Sequence, residues 1–196
     1  MLRRVFAFAA VLFAAVTLSG CFVASQNLPA GTGVTGDQRL VGTWRGFESK
    51  EKKDGDAFLS FLKPNPNQPL CLVWVEDDNY QIYEVRTVVI GKSNVFAAKL
   101  MGPAEAMKED APKGWLLGFY DFRSPDKLTF RLLDSEKVGD LIAKGKLKGT
   151  RKPGKYEMAN LTGSPAELAA FLASADAQAV LSEEPATLRR LTRAPQ

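Results

Sequence analysis

Apolar and polar residues alternate most regularly at Lys127-Leu128-Thr129-Phe130-Arg131-Leu132, where Leu128, Phe130 and Leu132 fall on one face of an extended chain. Similar short runs, rich in β-branched and aromatic residues and separated by turn-forming residues, recur along most of the sequence. They predict strands at about 40–49, 57–63, 70–76, 80–90, 94–101, 115–123, 127–133 and 156–162. The break at Asp77-Asp78-Asn79 reads as a hairpin turn, and Pro64, Pro66 and Pro69 make the connection before Leu70 irregular. Residues 103–112, bounded by prolines and carrying charges, read as a surface loop.

The period changes to a helical one in three places. Val138, Leu141 and Ile142 predict a helix over 134–143, stopped by Gly145. Ser164-Pro165-Ala166-Glu167 is a capping box with proline at the first helical position, ahead of the apolar residues 168–172. A shorter helix is expected over 185–193, with Leu188 and Leu191 on one side and Arg189, Arg190 and Arg193 exposed. About eight consecutive strands with short links describe a mainly β (α+β) domain. It is an antiparallel barrel of about eight strands or a strongly curled sheet, with a C-terminal helix.

The first twenty residues stand apart from this pattern. Arg3 and Arg4 precede an apolar run over 5–16, and Leu18-Ser19-Gly20 narrows to small residues, the three parts of a secretory signal. The run is too short to span about 30 Å of hydrocarbon. Leu18-Ser19-Gly20-Cys21 resembles the lipobox of bacterial lipoproteins, in which a Leu and two small residues precede the cysteine that is modified. The resemblance implies that the chain is cut before Cys21, that its thiol carries a diacylglyceryl group, and that the new amino terminus is acylated as well. Two or three acyl chains make a durable anchor where one does not. With Phe22 rather than an aspartate after the cysteine, the family pattern implies the outer membrane, facing the periplasm. Residues 1–20 are then a signal peptide, 21–38 a tether made flexible by Gly31, Gly33 and Gly36, and 39–196 a single β-rich domain.

Charge adds little. The formal +4 falls to +2 when Arg3 and Arg4 leave, too small a value to argue for nucleic acid as a partner. Lys144, Lys146, Lys148, Arg151, Lys152 and Lys155 crowd into twelve positions among glycines. They read as a solvated turn face, with contact to anionic lipid head groups as the sharper alternative.

Candidate chemistry is limited by what is missing. The chain has no histidine, which removes Ser-His-Asp and Cys-His catalysis and histidine metal sites. Cys71, in the apolar run 70–75, is expected to be a small buried hydrophobe. Glu76-Asp77-Asp78 lacks the spacing of a calcium loop, and Glu105, Glu109 and Asp110 read as surface charge. No cofactor or metal is expected, and the protein is not expected to be an enzyme.

The aromatic residues carry the remaining signal. Leu40-Val41-Gly42-Thr43-Trp44 resembles the G-x-W motif on the first strand of lipocalins, small barrels that close one end with a Trp and hold apolar ligands inside. A C-terminal helix also fits that layout. The family's Thr-Asp-Tyr motif has no counterpart, and no basic residue of the expected last strand stands out as a partner for Trp44, with Lys155 the candidate. Trp44, Trp74, Trp115, Phe58, Phe119 and Phe130 are the candidate lining of an interior cavity for a small apolar ligand or lipid, although core packing is the favoured explanation for such aromatics. The alternative is an envelope protein whose outer surface docks a protein partner. A hydrolase working through carboxylates alone is the third hypothesis.

Overall fold

A computed structural model describes residues 23–32, 36–47, 57–76, 79–103, 113–152, 158–183 and 185–193. Eleven strands form one sheet: β1 (Val23–Ser25), β2 (Gly42–Phe47), β3 (Ala57–Leu62), β4 (Leu70–Glu76), β5 (Asn79–Ile90), β6 (Ser93–Gly102), β7 (Trp115–Ser124), β8 (Lys127–Leu132), β9 (Gly149–Lys152), β10 (Met158–Leu161) and β11 (Ala186–Arg193). Among the described residues three α-helices interrupt the second half: α1 (Ser135–Ala143), α2 (Pro165–Leu172) and α3 (Ala175–Ala179). Among the described residues no helix is long and apolar enough to cross a membrane.

Eight of the strands close into an antiparallel barrel. Around the ring they run β2, β3, β4, β5, β6, β7, β8 and β11, and β11 returns to pair with β2. Alternation decides what enters the interior. Leu128, Phe130 and Leu132 on β8 point inward with Leu70, Leu72 and Trp74 on β4, and with Phe96, Ala98 and Leu100 on β6. Closure satisfies every strand edge of the ring, a problem that an open sheet leaves unsolved.

Between the last two barrel strands the chain makes an excursion through α1, β9, β10, α2 and α3. The N-terminal β1 binds this excursion to the barrel, pairing antiparallel with the start of β7 and parallel with β10, whose other side carries β9. The helices and this three-stranded lip cover the outer face of β6 and β7. Val95, Ala97, Leu117 and Phe119 point outward into that second core with Val138, Leu161, Leu168 and Phe171. Successive residues 95–98 and 117–120 are therefore buried on both faces.

Local sequence explains the helix ends. The Asp134 carboxylate accepts the Lys137 amide at 3.0 Å at the start of α1. At α2, Ser164 and Glu167 exchange their bonds: the Ser164 amide donates to Glu167 Oε2 at 2.8 Å and the Glu167 amide to Ser164 Oγ at 3.3 Å. That is the reciprocal pair expected of a capping box.

Two sequence expectations are corrected. Within the expected helix 185–193, Ala186–Arg193 form a strand instead, in which Leu188 and Arg190 both face inward and a bulge between Arg190 and Thr192 turns Leu191 to solvent. Residues 23–32 do not form a flexible tether. Val23, Ala24 and Ser25 are buried in the sheet, the Gln26 amide donates to Leu161 O and the Ala30 amide to Pro165 O. Gly36 packs so tightly that a Cβ there would lie 2.4 Å from Leu70 Cγ, so its glycine serves close approach.

Candidate binding surfaces

The segment just before β2 seals one end of the barrel. A 3-10 turn at Gln38–Leu40 lies across it, and Trp44 beneath is fully buried, its Nε1 donating to Leu40 O at 2.8 Å. Arg190 of β11 lies over the indole with its guanidinium carbon 4.0 Å from the ring centroid. The same guanidinium donates to Val41 O at 2.8 Å, Arg39 O at 2.5 Å and Pro125 O at 3.1 Å. Arg190 is thus a basic partner of Trp44; the sequence candidate Lys155 lies outside the described residues.

A second clasp ties this seal to the opposite wall. Asp37 Oδ2 accepts the Tyr120 hydroxyl at 3.0 Å, and the Asp37 amide donates to Thr87 Oγ1 at 2.8 Å. Burial works to raise the Asp37 carboxyl, but the bonds from Arg39 and Tyr120 outweigh it and hold the pKa below its ordinary value. Burial pushes the Tyr120 hydroxyl up, and the negative charge of Asp37 adds to this.

The interior beyond the seal is occupied by rings in mutual contact. Phe130 lies 5.2 Å from Phe96 edge-to-face, 6.3 Å from Phe61 stacked and 6.1 Å from Tyr120, and Phe122 joins Tyr120 to Trp44. Opposite the Phe96 ring, Gly118 has no space for even a methyl group, since a Cβ would lie 2.6 Å from that ring. Toward the far end Trp74 meets Tyr83, whose hydroxyl donates to Gln81 Oε1 at 2.5 Å. Burial pushes the Tyr83 pKa up to about 12.

The six candidate cavity residues therefore separate. Trp44, Trp74 and Phe130 face the interior. Phe119 and Trp115 face outward into the second core, where Arg86 lies 5.3 Å over the Trp115 ring. Phe58 also points outward, directly opposite Arg45 on one side and Val75 on the other. Parity is the reason: on β7 the inward set is Leu116, Tyr120 and Phe122, so the odd-numbered aromatics leave the lumen.

Phe58 begins an apolar patch on the outer wall. Phe58, Val75 and Tyr80 stand in one cross-strand row of β3, β4 and β5, and Val73 and Ile82 stand in another. Leu62, Tyr80 and Met101 are 50%, 51% and 54% exposed. Arg86 and Glu84, joined by an ion pair, lie at the rim. Cys71 belongs to this outer wall, opposite Leu62 and Glu84, and is half-buried rather than a core residue. Burial pushes its thiol pKa up, which disfavours the reactive thiolate.

A cleft of about 370 Å³ opens outside the barrel, between the turn after α1 and α2. Leu141, Leu161, Leu168 and Phe171 line its floor, and two ion pairs border it, Lys148 with Glu167 at 2.7 Å and Lys146 with Asp176 at 3.5 Å. Arg151 meets Asp140 at 3.0 Å. Among the five described residues of the basic cluster, Lys146, Lys148 and Arg151 are thus paired with acids that sequence proximity did not suggest.

Several candidates lie outside the described residues: Cys21, Asp77, Asp78, Glu105, Glu109 and Asp110. Among the described residues no three of Cys, Asp and Glu gather closely enough to hold a metal ion. No family model, no curated protein and no solved structure matches the chain.

Proposed function

We propose that the protein is a lipid-anchored lipoprotein of the bacterial cell envelope whose barrel is a non-catalytic binding module for another envelope protein. Cys21 carries the acyl chains, and Phe22 after it favours the outer membrane, facing the periplasm. The Trp44–Arg190 closure supports a lipocalin-like construction with one end shut. Of the two binding hypotheses, a small apolar ligand in the lumen is the less supported, because Phe130 and its neighbours fill the middle of the barrel with each other.

The observation that carries the partner reading is the outer row Phe58, Val75 and Tyr80 with exposed Leu62 and Met101 beside it. Contiguous apolar surface on a soluble wall marks an interaction site. The charged Glu84–Arg86 rim of both signs suits a protein interface with an apolar centre better than an acyl chain. The test is a photo-crosslinker placed at Tyr80 or, as the control, at Thr129 on a different wall, in cells that make the full chain. A discrete adduct at Tyr80 that disappears with Val75→Glu, and is absent at Thr129, is the expected result. Monomer alone at both positions sinks the reading.

A further inference from the structure

The start of β1 fixes how such an anchored protein must sit. Val23 is buried and pairs with Ala159, and Ala24 beside it pairs with Leu116 of the barrel. Only one residue separates Cys21 from Val23, and two extended residues span at most about 7 Å. The polar layer on each side of the hydrocarbon is about 5–7 Å thick. With its acyl chains in the hydrocarbon, Cys21 therefore leaves no slack, and Val23 stands within about one head-group layer of the membrane.

What lies beside Val23 is basic. Ala159 pairs on its other side with Arg151, and the next row joins Met158 to Lys152. Strands are spaced about 4.8 Å apart, which puts the Arg151 backbone about 10 Å from that of Val23. Thr150 and Lys152 are exposed on one face of β9, the outermost strand of the lip, while Arg151 between them turns to the other face and meets Asp140 of α1 at 3.0 Å.

We infer that the β1–β10–β9 lip rests on the anionic surface of the bilayer that holds the Cys21 anchor, with Lys152 facing lipid phosphates. This rests on the lipid anchor proposed above. The orientation has a consequence at the far wall. In the ring, β3 lies four strands from β7 in either direction, so the patch around Phe58 and Val75 is carried on the side away from the membrane.

The test uses the full chain, matured in cells and reconstituted in phosphatidylethanolamine vesicles containing phosphatidylglycerol. Cys71→Ser removes the free thiol, and a fluorescent label is placed at Thr150→Cys or at Val75→Cys. Quenching by lipids with a nitroxide on the head group should be several-fold stronger at position 150 than at 75. Lys152→Glu should reduce it at 150. Intact-protein mass on the same preparation reports acylation independently. Acylated protein with equal quenching at the two positions overturns the orientation and leaves the anchor standing, whereas an unacylated chain overturns both.

Discussion

Arg190 and Trp44 close the barrel as a pair: the guanidinium lies 4.0 Å over the indole while its nitrogens donate to the carbonyls of Arg39, Val41 and Pro125. One side chain thus holds the cap to both ends of the meander. Hydrogen bonds from a charged donor contribute about 1.5–3 kcal/mol, and a desolvated cation over a ring up to about 2 kcal/mol. These overlap, so Arg190→Ala should cost about 2–4 kcal/mol by urea unfolding. Arg190→Lys should recover less than half, since an ammonium cannot reproduce the fork. A loss equal to that of an ordinary surface substitution would remove Arg190 from this role.

Phe130 is the hub of the interior rings. Phe130→Ala should cost about 3–5 kcal/mol by the same measurement, as for other large-to-small changes in a filled core. Small apolar compounds should then stabilise the variant and not the parent, because only the variant has space for them. Equal stabilisation of the parent would reveal a pre-existing cavity and restore the ligand hypothesis.

Gly118 tests the same packing from the wall. A methyl there would sit 2.6 Å from the Phe96 ring and 2.7 Å from the Arg131 carbonyl oxygen, which is backbone and cannot swing away. Gly118→Ala should destabilise by about 1–3 kcal/mol, the usual range for overpacking. A neutral result would mean that the ring has room to move.

Two pH limbs are expected, of opposite sign. The Asp37 pKa is lowered in the folded protein, so its contribution is present above the unfolded value near 4 and fades as pH falls below it. The Tyr83 pKa is raised to about 12, so its contribution is complete below the unfolded value near 10 and fades as pH climbs toward 12. Urea midpoints across pH should show Asp37→Asn flattening the acid limb and Tyr83→Phe part of the alkaline one. Limbs unchanged by these variants would assign the dependence to other groups.

The outer patch should separate binding from folding. Val75→Glu and Leu62→Glu change side chains that are 38% and 50% exposed, and each should alter stability by no more than about 0.5 kcal/mol. Each should nevertheless abolish the Tyr80 crosslink. A large stability loss instead would show that the patch is structural.

Much of this architecture was legible where one face of a strand is apolar and the other polar. The Leu128, Phe130, Leu132 alternation gives β8 directly, and the capping box at Ser164 and Glu167 gives α2. The last barrel strand was not legible, since the closing role puts a charged Arg190 at an inward position where alternation demands an apolar residue. That single substitution leaves Leu188 and Leu191 at helical spacing and hides the partner of Trp44 with it. β1 escaped for another reason: its three residues are too few for a period, and only tertiary pairing with β7 and β10 makes them a strand. The six cavity candidates have only their aromatic type in common, and type does not reveal parity.

The excursion between β8 and β11 also dictates a timetable. The ring's seam joins β2 to β11, so Arg190 must find Val41 across 149 residues of chain. Closing so long a loop is slow relative to forming the hairpins within it. A chain emerging amino terminus first has its cap segment and seven barrel strands in hand well before the eighth arrives. Until then β2 and β8 are raw edges, and protection of that newborn sheet from other chains falls on whatever meets it before the ring closes.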